Sequence, residues 1–312
     1  MISTITDRLL LSIPVLFGVL LFGFLLLQLV PGDPAQVVAG PMAAPDVVEA
    51  IRVQMGLDQP MIYQFWAYLE RMAQGDMGRS MISNKAVTEE LWSAIGPTVE
   101  LMFACLVWSV PLGIGMGTLA AVLRGSIIDR FIMGLSVAGV SLPIFFIGLL
   151  AVQYFGVLWF QLPFIGRGGP LWSADGLLHL ILPAVSLGAI MIGPVARMTR
   201  SSVLEVLKLD HVRTARAKGL TETQVILRHG LRNALIPVVT LIGLQAGYLL
   251  GGAVVTETIF SWPGIGRLTV GAILSSDFTV AQGAILVFAL TFILINLIVD
   301  ILYSLLDPRV RR

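Results

Sequence analysis

"LLHLILPAVSLGAIMIGPVAR" (177–197), "DHVRTARAKGLTETQVILRHGLRN" (210–233) and "ALIPVVTLIGLQAGYLLGGAVVT" (234–256) stand almost end to end. The outer two are apolar runs of about 20 residues, the length that crosses a bilayer as a helix. The middle one carries Arg213, Arg216, Lys218, Arg228 and Arg232. This junction reads as a membrane helix, a cationic insert in water, and a return into the membrane. The rest of the chain repeats the theme. It is 56% hydrophobic and 12% charged, with a mean hydropathy of +0.89, whereas soluble domains are about a quarter charged.

The whole chain therefore reads as an all-α integral membrane protein. Apolar stretches at 9–30, 97–123, 131–160, 177–197, 234–256 and 280–306 predict six spans. The first lacks a small-residue cleavage site and runs into "PGDP", so it is expected to be a retained span rather than a secretory signal. The expected division is a first span at 1–30, an outer loop at 31–95 and a five-span core at 96–312 that includes the insert at 201–233.

Six spans place both termini on one side. On that side lie Arg8, Arg124, Arg130, eight basic residues from Arg197 to Arg232, and Arg309, Arg311 and Arg312, which is 14 of the 20 Lys and Arg. The positive-inside rule then makes both termini cytoplasmic. The loop at 31–95 faces outward. It holds eight acidic and four basic residues, and "PDVVEAIRVQMG" and "PMIYQFWAYLERMAQG" have helical spacing within it. Short amphipathic helices at the outer mouth are expected there, in preference to a solvated linker.

Within the spans, Gly113 and Gly117, and Gly243, Gly247 and Gly251, recur every fourth residue. Small residues at that spacing let helices approach closely in lipid. Pro111, Pro143, Pro183, Pro194 and Pro237 end or interrupt spans, and both packing and a kinked pathway account for them. Intramembrane charge is scarce: Asp300 is the clearest case, with Glu100 and Glu257 nearer the outer ends. A stand-alone ion-coupled carrier calls for more buried charge than this, and Asp300 reads as a structural anchor.

Catalytic signatures are missing. The sequence contains no G-x-x-x-x-G-K-[ST], no H-E-x-x-H and no G-x-S-x-G. His179, His211 and His229 lack metal-ligand spacing, and Cys105 has no partner for an intrachain disulfide. A net charge of +1 points to no nucleic-acid partner. No catalytic residue, metal site or cofactor is assigned to this chain, and no substrate-binding residue is named. Any uphill movement of solute must draw its energy from another subunit.

The insert itself is patterned. Ser201–Lys218 contains no Pro or Gly and reads as a polar continuation of the fourth span, with Glu205/Lys208 and Asp210/Arg213 placed to pair at i,i+3. Gly219 stops it, because glycine accepts the left-handed conformation past a helix end. Thr221 with Gln224 three residues on is a capping box. It opens a helix over about 222–231 bearing Val225, Ile226, Leu227 and Leu231, with Arg228 and Arg232 a turn apart. Three readings compete. A solvated basic loop needs neither the cap nor the apolar residues. A DNA-reading helix-turn-helix needs freedom to enter a groove, which the membrane tethers deny. A rigid docking helix for a cytoplasmic subunit uses every feature.

At these residues the sequence resembles the inner-membrane permeases of ATP-binding-cassette importers, and among them the peptide/nickel family's dipeptide and oligopeptide "B" subunits. The family's EAA-x3-G signature falls on Arg213-Thr214-Ala215 and Gly219, with the Glu and first Ala replaced. "LVPGDPA" (29–35), "MGLDQP" (55–60), "QGDMGRSM" (74–81), "ARMTRSSVLEVLKLDHVRTARAKGL" (196–220), "RHGLRNALIPVVT" (228–240), "LLGGAVVTETIFSWPGIGRL" (249–268) and "NLIVDILYSLLDPRVR" (296–311) match the family pattern in order. "AGP", "QFWAYL" and "FILINLIVDILY" are similar to glutathione-type members.

The resemblance implies a heteromeric importer of di- or oligopeptides or related small solutes in a bacterial-type cytoplasmic membrane. Its implied partners are a second permease subunit, two cytoplasmic ATPase subunits that bind ATP and Mg, an extracytoplasmic substrate-binding protein and membrane lipid. It also implies that the insert is a coupling helix. Gly219, Leu220, Thr221, Glu222, Val225, Ile226 and Leu227 are the expected ATPase contacts, with Arg213, Arg216 and Leu231 in support. "SWPGIGR" (261–267) and the outer loop are expected at the entrance. A stand-alone carrier or channel, and a membrane anchor or sensor without transport, are the rival readings.

Overall fold

The computed structural model describes the backbone of residues 2–29, 33–40 and 42–306, and the side chains of 10–25, 33–40, 42–299 and 301. Among these residues there is no β-strand, only an isolated β-bridge between Arg79 and Ala86. The helices are α1 (Ile2–Leu29), α2 (Pro34–Ala39), α3 (Pro45–Gln54), α4 (Met61–Ala73), α5 (Val87–Val122), α6 (Ile127–Ser141), α7 (Ile144–Ala151), α8 (Ala174–Val206), α9 (Asp210–Ala217), α10 (Glu222–Gln224), α11 (Arg232–Ile259), α12 (Ile265–Leu274) and α13 (Phe278–Leu306). Two π-helical segments, Val152–Leu158 and Val225–Leu231, continue α7 and α10.

Four helices among the described residues are long and apolar enough to cross a membrane, five if a bent pair counts as one span. They are Val87–Val122, Ala174–Val206, Glu222–Ile259 and Phe278–Val299, and the bent pair is Ile127–Ser141 with Ile144–Leu158. At 36 residues, α5 is about 54 Å long, more than the thickness of a bilayer's hydrocarbon core, and its first turn carries Glu89 and Glu90. The stretch at 131–160, expected as one span, is bent by 101°. Leu142 adopts φ −85°, ψ 128° before Pro143, as the proline ring excludes the helical conformation from the preceding residue.

The chain divides into two compact units, with boundaries inside α1, α5 and α13 and between α11 and α12. In the unit containing Val99–Trp262, α8 is the central helix and packs on α6, α7 and α11. A Cβ on Gly113 would lie 2.8 Å from Val195, and one on Gly117 would strike the Ala196 carbonyl and Thr199. These glycines admit α8 against α5 as their spacing predicts. Gly243 likewise faces Val299, but Gly251 has no atom within 4 Å of its Cβ position. Arg167 pairs with Glu100 at 2.5 Å and Glu257 is fully buried. Asp300's side chain, read from sequence as an anchor, lies outside the described residues.

The other unit comprises Thr6–Thr98 and Pro263–Ile293. Val87, Leu91 and Ala94 of α5 form its larger core with Ile265 and Ala272 of α12 and Val280, Ala281, Ala284 and Val287. Two polar groups fix the chain around that core. Thr98 accepts the Ile265 amide at 2.9 Å. Asp277, preceding α13, accepts the Val280 and Met81 amides and the Ser80 hydroxyl. A smaller core joins Phe24 to Phe65 and Tyr68. Burial pushes the Tyr68 phenol up to about 12, against a smaller opposing pull from Arg71.

Candidate functional site

The insert between α8 and α11 is a folded knob. The helix expected to run through Lys218 instead stops at Val206 and restarts at Asp210. Leu209, at φ −72°, ψ 151°, is extended. Packing explains this break, since the turn at 207–209 contains no Pro or Gly. Val206 and Leu207 are drawn inward against Val212, Ala215 and Val225, and a straight α8 would carry them past that cluster. Gly230 completes the fit, with Leu207 only 3.2 Å from its Cβ position.

The turn after α9 is closed by backbone bonds from Leu220 to Ala215 (3.4 Å) and from Gly219 to Arg216 (2.9 Å). These are the two bonds of a Schellman motif, and Gly219 sits at the φ of +79° that it requires. Thr221 then caps α10 reciprocally. Its hydroxyl accepts the Gln224 amide at 3.4 Å, and the Gln224 side chain accepts the Thr221 amide at 3.3 Å. Arg216 spans the turn to Glu222 with bonds of 2.6 and 3.1 Å. This hydrogen bond raises the Arg216 pKa despite partial desolvation. Arg213 pairs with Asp210 at 3.3 Å.

The knob's apolar residues divide into two faces. Val225 and Ile226 are buried, and Leu231 packs with Leu204, Val206 and Leu207 around Ala121, Val203 and Ala234. Gly219, Leu220, Thr221, Glu222 and Leu227 are exposed, Leu227 by 56%. Of the residues expected to meet a partner, Val225 and Ile226 thus hold the knob to its own chain, and the other five share the surface.

Comparison with known proteins gives the family. The model of the family described as "Binding-protein-dependent transport system inner membrane component" matches residues 109–312, and the model of its N-terminal membrane component matches 1–91. The chain belongs to this family. It is 47% identical over 311 residues to the glutathione transport system permease protein GsiC of Escherichia coli strain K12, covering 100% of this chain and 99% of that protein. GsiC of Shigella dysenteriae serotype 1 gives the same identity and coverage. An inward-facing structure of the MetNI methionine ABC transporter shares the fold, with a TM-score of 0.55 at 19% identity over 71% of this chain and 96% of that one. The protein is thus a permease subunit of an ATP-binding-cassette importer and a multi-pass protein of the inner membrane. Membership of the family implies ATPase and substrate-binding partners.

Two groups with no role assigned from sequence hold the knob and its helix in place. Asn233 of α11 bonds the His211 ring at 3.2 Å and the His229 carbonyl at 3.4 Å, joining α9 to the return helix. Asp129 of α6 is 4% exposed and receives both donor nitrogens of Arg200. In sequence it lies between Arg124 and Arg130, where an acidic residue looks like part of a solvated loop. Its cover by Arg200 is a tertiary property.

Proposed function

We propose that the permease carries peptide-type solutes, with glutathione and other short peptides as the substrate class, as one of two different membrane subunits. In this reading it has six spans: α1, α5, the bent pair α6–α7, α8, α11 and α13. Both termini lie in the cytoplasm, as the placement of Lys and Arg supports, and the segment 31–95 faces the binding protein. ATP and Mg belong to two ATPase subunits, and this chain supplies no catalytic group. The substrate class rests on full-length similarity to proteins named as glutathione permeases.

The ATPase docks on the exposed face of the knob, with Leu220, Thr221, Glu222 and Leu227 at the contact and Gly219 setting the turn. One observation carries this assignment: Leu227 and Glu222 stand out from a turn fixed by a cap, a Schellman closure and a buried apolar base. Such preorganisation limits what the knob loses in conformational freedom on binding. ATP drives transport by favouring one of two arrangements of the docked complex.

The test is the double variant Glu222→Arg/Leu227→Asp in the purified complex. The permease is expected to reach the membrane at the wild-type level, while ATPase subunits no longer co-purify and ATP-driven uptake into proteoliposomes is lost. Wild-type ATPase retention and uptake would sink the docking assignment. A thermal-shift screen of the cognate binding protein against short peptides tests the substrate class, and no stabilisation by any peptide would overturn it.

A further inference from the structure

Docking alone moves nothing unless the knob's motion reaches the spans. The knob continues from the end of α8, and α8 is joined to α6 near that same end by directional polar bonds. Arg200 places Nε 2.6 Å from one Asp129 oxygen and Nη2 2.8 Å from the other. The second oxygen also accepts the Gly125 amide at 2.9 Å, so the α5–α6 turn shares the joint. Ser126 caps α6 by accepting the Asp129 amide at 3.1 Å. One turn earlier on α8, Arg197 donates to the Ser136 carbonyl at 2.8 Å, and Gly193 lies hard against that same carbonyl.

A buried carboxylate is a poor device for simple cohesion, because well-packed apolar residues of similar volume hold helices together as well or better. Its distinctive property is direction. A bidentate arginine–carboxylate fork fixes both spacing and rotation, whereas apolar helix faces in lipid have no hydrophobic drive holding them in one register. Arg200 lies less than two turns before α8 ends at Val206, and α6 runs from the joint to the 101° bend at Leu142–Pro143. The described parts form one mechanical series of knob, α8, polar joint, α6 and bend.

We propose that Asp129, Arg200 and Arg197 are positioning residues that make α6 follow the knob, so that movement of the docked ATPase arrives at the bend between α6 and α7. This rests on the docking reading given above. The joint fixes how much solute moves per ATP, and it contributes nothing to ATPase binding.

The complete complex, reconstituted in proteoliposomes with its binding protein, tests this through Asp129→Asn, Arg200→Asp and the swap Asp129→Arg/Arg200→Asp. Each single variant is expected to retain its ATPase subunits and hydrolyse ATP while uptake per ATP falls roughly tenfold, within the span by which coupling residues act. The swap is expected to recover much of that loss. Unchanged uptake per ATP in the assembled single variants would overturn the proposal. So would uptake and hydrolysis falling in parallel with no recovery in the swap, which is the mark of a purely structural pair. If the single variants fail to accumulate, Arg200→Lys keeps the charge but loses the fork, and the same ratio decides. Loss of ATPase retention in Asp129→Asn would place the pair in the dock itself and overturn the joint while leaving docking intact. Retention of the ATPase by Glu222→Arg/Leu227→Asp fells docking, and is therefore distinguishable from failure of the joint.

Discussion

Replacing Gly219 isolates the energetics of the knob's turn. The residue sits at φ +79°, and no atom lies within 4 Å of the position a Cβ would take. An alanine there meets no neighbour, so its whole effect comes from the backbone. Holding an ordinary L-residue in the left-handed region costs about 1–2 kcal/mol. That cost opposes the closure made by the Leu220→Ala215 and Gly219→Arg216 bonds, and it raises the population of the open turn by about fivefold to thirtyfold. The direct assay is amide hydrogen exchange across 210–226 in the lipid-reconstituted permease, since local opening sets exchange there. Gly219→Ala is expected to speed exchange at Leu220 by that factor. Gly219→Val is expected to act more strongly, because β-branching worsens the left-handed penalty. Gly219→Asn is expected to stay closest to wild type, since asparagine is the usual alternative at this position. Wild-type exchange in the alanine and valine variants, or faster exchange in asparagine than in alanine, would refute the reasoning.

Two further expectations follow from burial. Val225→Ala empties a site of zero exposure and is expected to destabilise the knob by about 2 kcal/mol, seen as faster limited proteolysis between 207 and 231. Leu227→Ala on the exposed face is expected to change that rate little, within about 0.5 kcal/mol. Gly117→Val drives a side chain into the Ala196 carbonyl and Thr199 and is expected to cost about 1–3 kcal/mol or more, measured as a lower melting temperature in detergent. Gly251→Ala, with open space around it, is expected to melt within error of wild type.

The signals carried by single residues could be read directly from sequence. Gly219, Thr221 and Gln224 marked the turn within the knob because left-handed turns and caps demand particular side chains. The apolar runs marked the long helices because hydrocarbon demands length. Features set by contact between distant segments could not be read in this way. Val225, Ile226 and Leu227 are alike in sequence, and only the fold directs two of them inward. The break at 207–209 has no proline or glycine to announce it, since it follows from where Leu207 packs. Pro143 signalled an interruption, but the 101° turn depends on what α7 packs against. Asp129 gave no signal at all, because its role depends on an arginine 71 positions away.

The π-helical turn at Val225–Leu231 bears on the chain's tolerance of length change. Such a turn holds one residue more than an α-helix over the same rise, and it absorbs the surplus locally. Deleting one residue inside it would return the segment to ordinary helix while leaving every later face of α11 in phase, including Gly243 against Val299. A deletion a few residues further on would rotate the remainder of the span by about 100°. The docking element can therefore lose a residue without re-registering the membrane helix behind it, so a shorter knob can sit before the same span.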